Sequence, residues 1–228
     1  MTLRLNADFA CRAAVHPAPE AWVASPMAGV ERLMLDRVGG EVARATSLVR
    51  YAPGSAFSGH RHDGGEEFLV LDGVFQDETG DHPAGTYVRN PPGTSHVPAS
   101  APGCTIFVKL WQFDPEDLTP LRADIAALPR AADPLRPGVL VAPLLARQDE
   151  TVRIEDWVPG ARVPLLAPRG LELLVLAGGF TEGGEAFGRH AWLRLPPGHR
   201  GVAVAGPQGA TVWAKAGHLA QIRLPPGA

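Results

Sequence analysis

The sequence predicts an all-β protein made of two copies of one small fold. Three observations carry this expectation: sequence blocks recur in order, glycine and proline punctuate the whole chain, and the apolar runs are short. Tyr51-Ala52-Pro53-Gly54 returns as Trp157-Val158-Pro159-Gly160, and Phe68-Leu69-Val70-Leu71 returns as Leu173-Leu174-Val175-Leu176. Pro91-Pro92-Gly93 is answered by Pro196-Pro197-Gly198, and the segment from Gly103 to Lys109 by that from Gly209 to Lys215. Repeats this long are whole domains rather than solenoid units. The 26 glycines and 23 prolines are scattered rather than gathered, as many tight turns between short strands require.

In chain order, the strand signals of the first copy are Val42 to Tyr51, Glu67 to Leu71, Gly85 to Asn90 and Thr105 to Phe113, each bounded by turn residues. One helical piece is expected at Pro120 to Leu128, inside a proline-rich connection running from Asp114 to Pro137. The boundary falls there, giving a leading domain over 1–118 and a following one over 119–228.

Composition narrows the function. With 45% hydrophobic and 20% charged residues the chain has an ordinary globular balance. A net charge of -3 without a basic run leaves no footprint for a phosphate backbone, so no nucleic-acid partner is expected. The longest apolar stretches, Leu171 to Phe180 and Val139 to Ala146, fall short of the roughly 20 residues a membrane helix needs, and no membrane partner is expected. Met1 to Pro17 lacks the apolar core of a secretory signal, so a cytoplasmic location is expected. Cys11 and Cys104 form no C-x-x-C pair; both are expected reduced, with Cys104 a small core residue of its strand.

The chemistry concentrates between residues 54 and 96. His60 and His62, two apart on a strand, project to one face. Asp63-Gly64-Gly65 can then turn the chain so that Glu66 arrives beside them on the next strand. His96 follows the Pro91-Pro92-Gly93 turn, which would aim its ring inward. Three neutral imidazoles and a carboxylate that offsets half the ion's charge suit one divalent transition metal, with zinc or iron(II) favoured and manganese or nickel compatible. On an octahedral ion four such ligands leave two positions open; on tetrahedral zinc they close the shell. Glu67, of opposite strand parity, is expected to have a structural or surface role, and His16, His82, His190, His199 and His218 to be surface or hydrogen-bonding residues.

In the second copy Leu166 stands at the His60 position, Pro168 at that of His62 and Gly201 at that of His96, so no metal is expected there. Glu172 is matched to either Glu66 or Glu67.

These spaced segments resemble the paired motifs of the cupin superfamily, which implies two tandem double-stranded β-helix, or jelly-roll, barrels. The first motif matches throughout; the second departs at its end, where the family often has Asn and this chain has Ser100. The runs Thr46 to Gly54, Gly64 to Leu71, Tyr87 to Gly93 and Val108 to Trp111 are similar to the ChrR-like cupins, strongly in the first half and weakly in the second. That resemblance implies metal ligation by His60, His62, Glu66 and His96. The family includes the C-terminal domain of zinc-dependent ChrR anti-sigma factors, which take part in the response to singlet oxygen, and similar dioxygenases cleave carbon-carbon bonds in small ketones. ChrR proteins also carry an N-terminal helical zinc domain with a His-x-x-x-Cys-x-x-Cys pattern. Cys11 stands alone here, so sigma-factor capture is not expected.

Three functions follow as expectations. The first is a sensing module in which a small molecule or oxidant reaches the metal. The second is a non-haem iron(II) dioxygenase acting on a small ketone or diketone, the metal serving as Lewis acid and template. The third is a metal-stabilised structural barrel without turnover. A homodimer is compatible with each.

Overall fold

A computed structural model describes residues 3–227. Among them there is no α-helix; strands, turns and a single 3-10 turn at Pro19–Ala21 make up the chain. The chain divides into two compact units. One is built on Ala18–Ala126 with the described residues before Asp8 and after Ile222; the other joins Asp8–Pro17 to Ala127–Ile222.

This division differs from a single cut after residue 118. Leu121–Asp124 is a strand, not a helix, because it completes the first unit's sheet by pairing antiparallel with Thr86–Asn90. At the other end of the chain, Ala13–Val15 pairs with Trp192–Leu195 in the second unit. Both are edge strands whose free backbone groups are satisfied by distant partners.

In the first unit the sheet runs in the order Leu3–Leu5, Val30–Gly39, Ala43–Tyr51, Cys104–Leu110, Glu66–Asp77, Thr86–Asn90, Leu121–Asp124. Its strands pair antiparallel. Ala43–Tyr51 is buried at every position except Arg50, so both of its faces are covered. One face, with Val49, Tyr51, Ile106 and Val108, belongs to the core cluster that also holds Phe68, Val70 and Phe75. Leu48 and Phe107 alternate with these and are buried on the opposite face.

The expected strand parity of the two glutamates holds. Glu66 is opposite Leu110 and lines the interior cavity, whereas Glu67 is opposite Lys109. Glu67 has a structural role: it is 2% exposed and bridges to buried Arg89 at 2.9 Å, which also holds Asp117 at 2.6 Å.

The second unit repeats this plan in the order Ala131–Ala132, Val139–Ala146, Thr151–Trp157, His199–Ala216, Leu171–Glu182, Trp192–Leu195, Ala13–Val15. Glu172 is opposite Lys215 and Arg194, as Glu67 is opposite Lys109 and Arg89, so Glu172 is the counterpart of Glu67. Register also moves two matches by one residue. His60 pairs with His96, and Leu165 pairs with Gly201, which makes Leu165 and Ala167 the counterparts of His60 and His62 in place of Leu166 and Pro168. Leu165 and Ala167 are each 1% exposed and belong to the apolar core, while Leu166 is 58% exposed.

Candidate metal centre

Two short strands, His60–His62 and Thr94–His96, pair antiparallel with His60 opposite His96 and His62 opposite Thr94. Three imidazoles therefore share one face of a two-stranded ribbon. Their ring centroids lie 4.7 Å apart for His60 and His62, 5.3 Å for His60 and His96, and 4.9 Å for His62 and His96. One nitrogen from each ring falls within 4.8 Å of the other two, the only such grouping of His, Cys, Asp or Glu among the described residues. Glu66 comes alongside two of the three: its Oε2 is 3.4 Å from His62 Nε2 and 3.5 Å from His96 Nε2.

Glycine makes this approach feasible. Gly65 has φ of +74°, and a Cβ there would meet the Phe113 ring at 2.5 Å; one on Gly64 would meet Trp111 at 2.2 Å. The turn is held by the His62 carbonyl, which accepts from the amides of Gly65 at 3.2 Å and Gly93 at 2.8 Å. One carbonyl thus ties together the two turns that present the histidines.

The hydrogen bonds of the rings decide which nitrogens face the shared point. His60 Nδ1 donates to the Ser58 carbonyl at 2.8 Å, and His96 Nδ1 donates to Asp77 Oδ2 at 3.3 Å. With Nδ1 protonated, Nε2 carries the lone pair in both rings. His62 Nε2 and His96 Nε2 are 3.0 Å apart. Asn90 donates to Glu66 Oε2 at 3.0 Å, fixing that carboxylate.

Burial favours the neutral imidazole of His62 and disfavours the charged form of Glu66. Burial, aided by the nearby His60, pulls the His62 pKa down to about 4 against the opposing pull of Asp63. Burial raises the Glu66 carboxyl above the usual range, opposed by His96 and by the Asn90 hydrogen bond. Burial also acts to raise Asp77, but bonds from Thr79, His82 and His96 prevail and hold it at about 2, so it is an anion beside His96. Neutral nitrogen donors with a buried carboxylate form a donor set that fits a divalent transition ion, and the three histidines are positioned to bind one.

A cavity of about 480 Å³ opens onto this group. His60, His62 and Glu66 form one part of its lining, and Val49, Phe57, Phe75, Ile106 and Val108 give it apolar walls. That volume is within the range of small-molecule sites.

The spacing of residues 54 to 96 brought forward the three histidines and Glu66; it did not bring forward Asp77, Ser58 or Asn90. Asn90 stands next to the Pro91-Pro92-Gly93 turn and its strand pairs it with Glu66, a relation a register argument could have reached. Asp77 lies 19 residues from His96 and bears no local signal. Of the remaining histidines, His82 is buried and bonds Asp77 at 3.0 Å, and His218 is buried 3.2 Å from Glu172. His16 pairs with Glu185 at 2.7 Å, His199 lies 3.6 Å from Glu182, and His190 has φ of 65° in a turn. Both cysteines are free thiols, and burial raises Cys104 to about 11, which keeps it an unreactive core residue. No helix among the described residues is long and apolar enough to cross a membrane.

Residues 10–114 match the family described as the ChrR Cupin-like domain. No curated protein matches the chain in sequence. Among solved structures, a protein from Nostoc punctiforme PCC 73102 provisionally assigned as a dioxygenase has a TM-score of 0.71 at 14% identity, covering 100% of this chain and 87% of its own. Protein Ylba from E. coli also has a TM-score of 0.71, at 16% identity over 92% of this chain and 93% of that one. A cupin 2 conserved barrel domain protein from Leptotrichia buccalis reaches 0.58 at 13% identity, covering 85% of this chain and 91% of its own. At such identities the likeness concerns the fold.

Proposed function

We propose that this chain, whose residues 10–114 match the ChrR Cupin-like domain, is a metal-dependent dioxygenase that takes a small ketone or diketone at the three-histidine centre. The observation that carries this reading is the cavity of about 480 Å³ lined by His60, His62 and Glu66. A diatomic or other small oxidant needs far less room, whereas an organic ligand needs about this much.

In this reading His60, His62, His96 and Glu66 hold the ion, and iron(II) is the metal for turnover. When bound, such an ion supplies Lewis acidity toward the ligand's oxygens and the one-electron chemistry that dioxygen requires. The chain's own residues do the rest. Asp77 and the Ser58 carbonyl hold two imidazoles in the tautomer that offers Nε2. Asn90 fixes Glu66. Val49, Ile106, Val108, Phe57 and Phe75 keep water from the bound ligand and strengthen every charge interaction within.

A second reading, a sensor that binds a small molecule or oxidant without turnover, is supported by the match to the ChrR Cupin-like family. One experiment separates the two. Protein loaded anaerobically with iron(II) is mixed with pentane-2,4-dione and related aryl ketones, and dioxygen uptake is followed. The enzyme reading expects sustained uptake that His62→Ala abolishes. Binding without uptake supports the sensor, and absence of binding leaves a structural barrel.

A further inference from the structure

Two arginines reach the same cavity although their spacing forbids it in a regular strand. Arg32 and Arg37 are five apart on Val30–Gly39, and odd separations point to opposite faces. A bulge between Met34 and Asp36 inserts one residue and restores their parity, so that Arg32 is opposite Val49 and Arg37 opposite Ala45. Val49 and Ala45 both line the cavity, and Arg32 and Arg37 line it too.

Neither arginine has an ion-pair partner among the described residues. Arg37 is 8% exposed, and its guanidinium donates only to the main-chain carbonyls of Gly40 and Glu41. Arg32 stands 5.8 Å from the Phe57 ring centroid. The other charged groups of the cavity are accounted for. Arg61 pairs with Asp63 at 2.9 Å, Glu66 sits beside His62 and His96, and Glu41, an exposed residue of the cavity lining, forms no ion pair among the described residues. Burial, and then the like charge of Arg32, makes the Arg37 cation harder to hold than usual. A buried guanidinium without a carboxylate is costly unless an anion completes it. Tyr51 adds a neutral donor: it is 6% exposed and lines the same cavity.

We propose that the ligand of this cavity is an organic anion, a keto compound bearing a carboxylate, with its oxygen donors toward the three histidines and its carboxylate received by Arg37 and Arg32. This rests on the cavity being a substrate site and names the class of substrate. Arg37 and Arg32 are specificity residues here. The fork of an arginine matches a carboxylate in two hydrogen bonds, which a neutral diketone cannot offer.

The test uses protein loaded with iron(II) under anaerobic conditions, which cannot turn over without dioxygen, and compares two probes of similar size by calorimetry: 2,4-dioxopentanoate and pentane-2,4-dione. Arg32→Met and Arg37→Met are expected to weaken 2,4-dioxopentanoate about tenfold or more each, and to leave pentane-2,4-dione within about twofold. Raised ionic strength should weaken the first probe alone. Arg37→Met also loses bonds to the turn, so iron content and thermal midpoint are measured, and Arg32→Met, which leaves that turn intact, repeats the test. Equal losses for both probes, or no loss for either, would overturn the anion assignment while leaving the substrate-site reading in place. If neither probe binds the unaltered iron(II) protein, the substrate-site reading falls and the anion assignment falls with it.

Discussion

Asp77 Oδ2 lies 3.3 Å from Nδ1 of His96, and Asp77 Oδ1 lies 3.0 Å from Nε2 of His82. One carboxylate thus holds two imidazoles, of which only His96 belongs to the three-histidine group. The bond fixes the tautomer that turns Nε2 of His96 inward. Asp77→Asn should therefore weaken metal affinity about 10- to 100-fold while the fold persists. Competitive chelator titration measures the affinity and circular dichroism checks the fold; unchanged affinity would remove Asp77 from the site.

Glu66 is the carboxylate beside the Nε2 atoms of His62 and His96, at 3.4 Å and 3.5 Å. Glu66→Gln keeps its size and its contact with Asn90 but withdraws the anion. We expect a lower metal occupancy in protein purified without added metal, read by elemental analysis, and a smaller loss than for His62→Ala, which deletes a ligand. Retention of full occupancy by Glu66→Gln would show three histidines to be sufficient.

The acid response follows from His62. Its folded pKa, about 4, lies below the ordinary imidazole value near 6.5, so between these limits the unfolded chain binds the extra proton. Stability of the metal-free protein should rise with pH across that window, with the His62 contribution fully present above about 6.5 and lost as pH falls through about 4. Asp77 has the same sign further down: its contribution is present above about 4 and is lost as pH falls toward 2. Thermal midpoints from pH 3 to 8 test this. His62→Phe should flatten the upper part of the curve and leave the lower part.

Backbone geometry at the turn before Glu66 predicts a separate effect. Gly65→Ala places a Cβ 2.5 Å from Phe113 at a φ of +74°. The left-handed conformation alone costs on the order of 1 kcal/mol, and displacement of Phe113 adds to it. Denaturant unfolding should show a loss of about 1 to 3 kcal/mol. Metal affinity should fall as well, because Glu66 is the next residue.

The buried Glu67, Arg89 and Asp117 group gives the contrasting case, a charge cluster that affects stability and leaves the site alone. Arg89→Met would remove the cation that pairs with two buried carboxylates, at 2% exposure each, and is expected to cost roughly 3 to 5 kcal/mol. A variant that unfolds near the unaltered midpoint would show that water reaches this cluster.

Much of the site could be read locally. His60 and His62 share a face because strand side chains alternate, and the same alternation separates Glu66 from Glu67. The in-order repeat announced two similar units, and both have the same antiparallel strand order around Glu67 and Glu172. Errors arose where one residue of register mattered. Leu165 and Ala167, opposite Gly201 and His199, are the counterparts of His60 and His62 in place of Leu166 and Pro168, since a one-residue deletion between Gly54 and Gly65 changes the match and only pairing locates it. The Met34 to Asp36 bulge, which turns Arg37 toward the cavity, has no signature in a lone sequence.

By itself the sequence determined the repeat, the all-β class and the residues able to meet a metal, because turn chemistry and two-residue periodicity act over a few neighbours. The tertiary structure alone decided that Asp77 orients His96, that Arg32 and Arg37 share a cavity, and that Ala13–Val15 and Leu121–Asp124 join the sheets they do. These relations depend on strand pairing between distant segments, where a shift of one residue moves a side chain from one face of the sheet to the other.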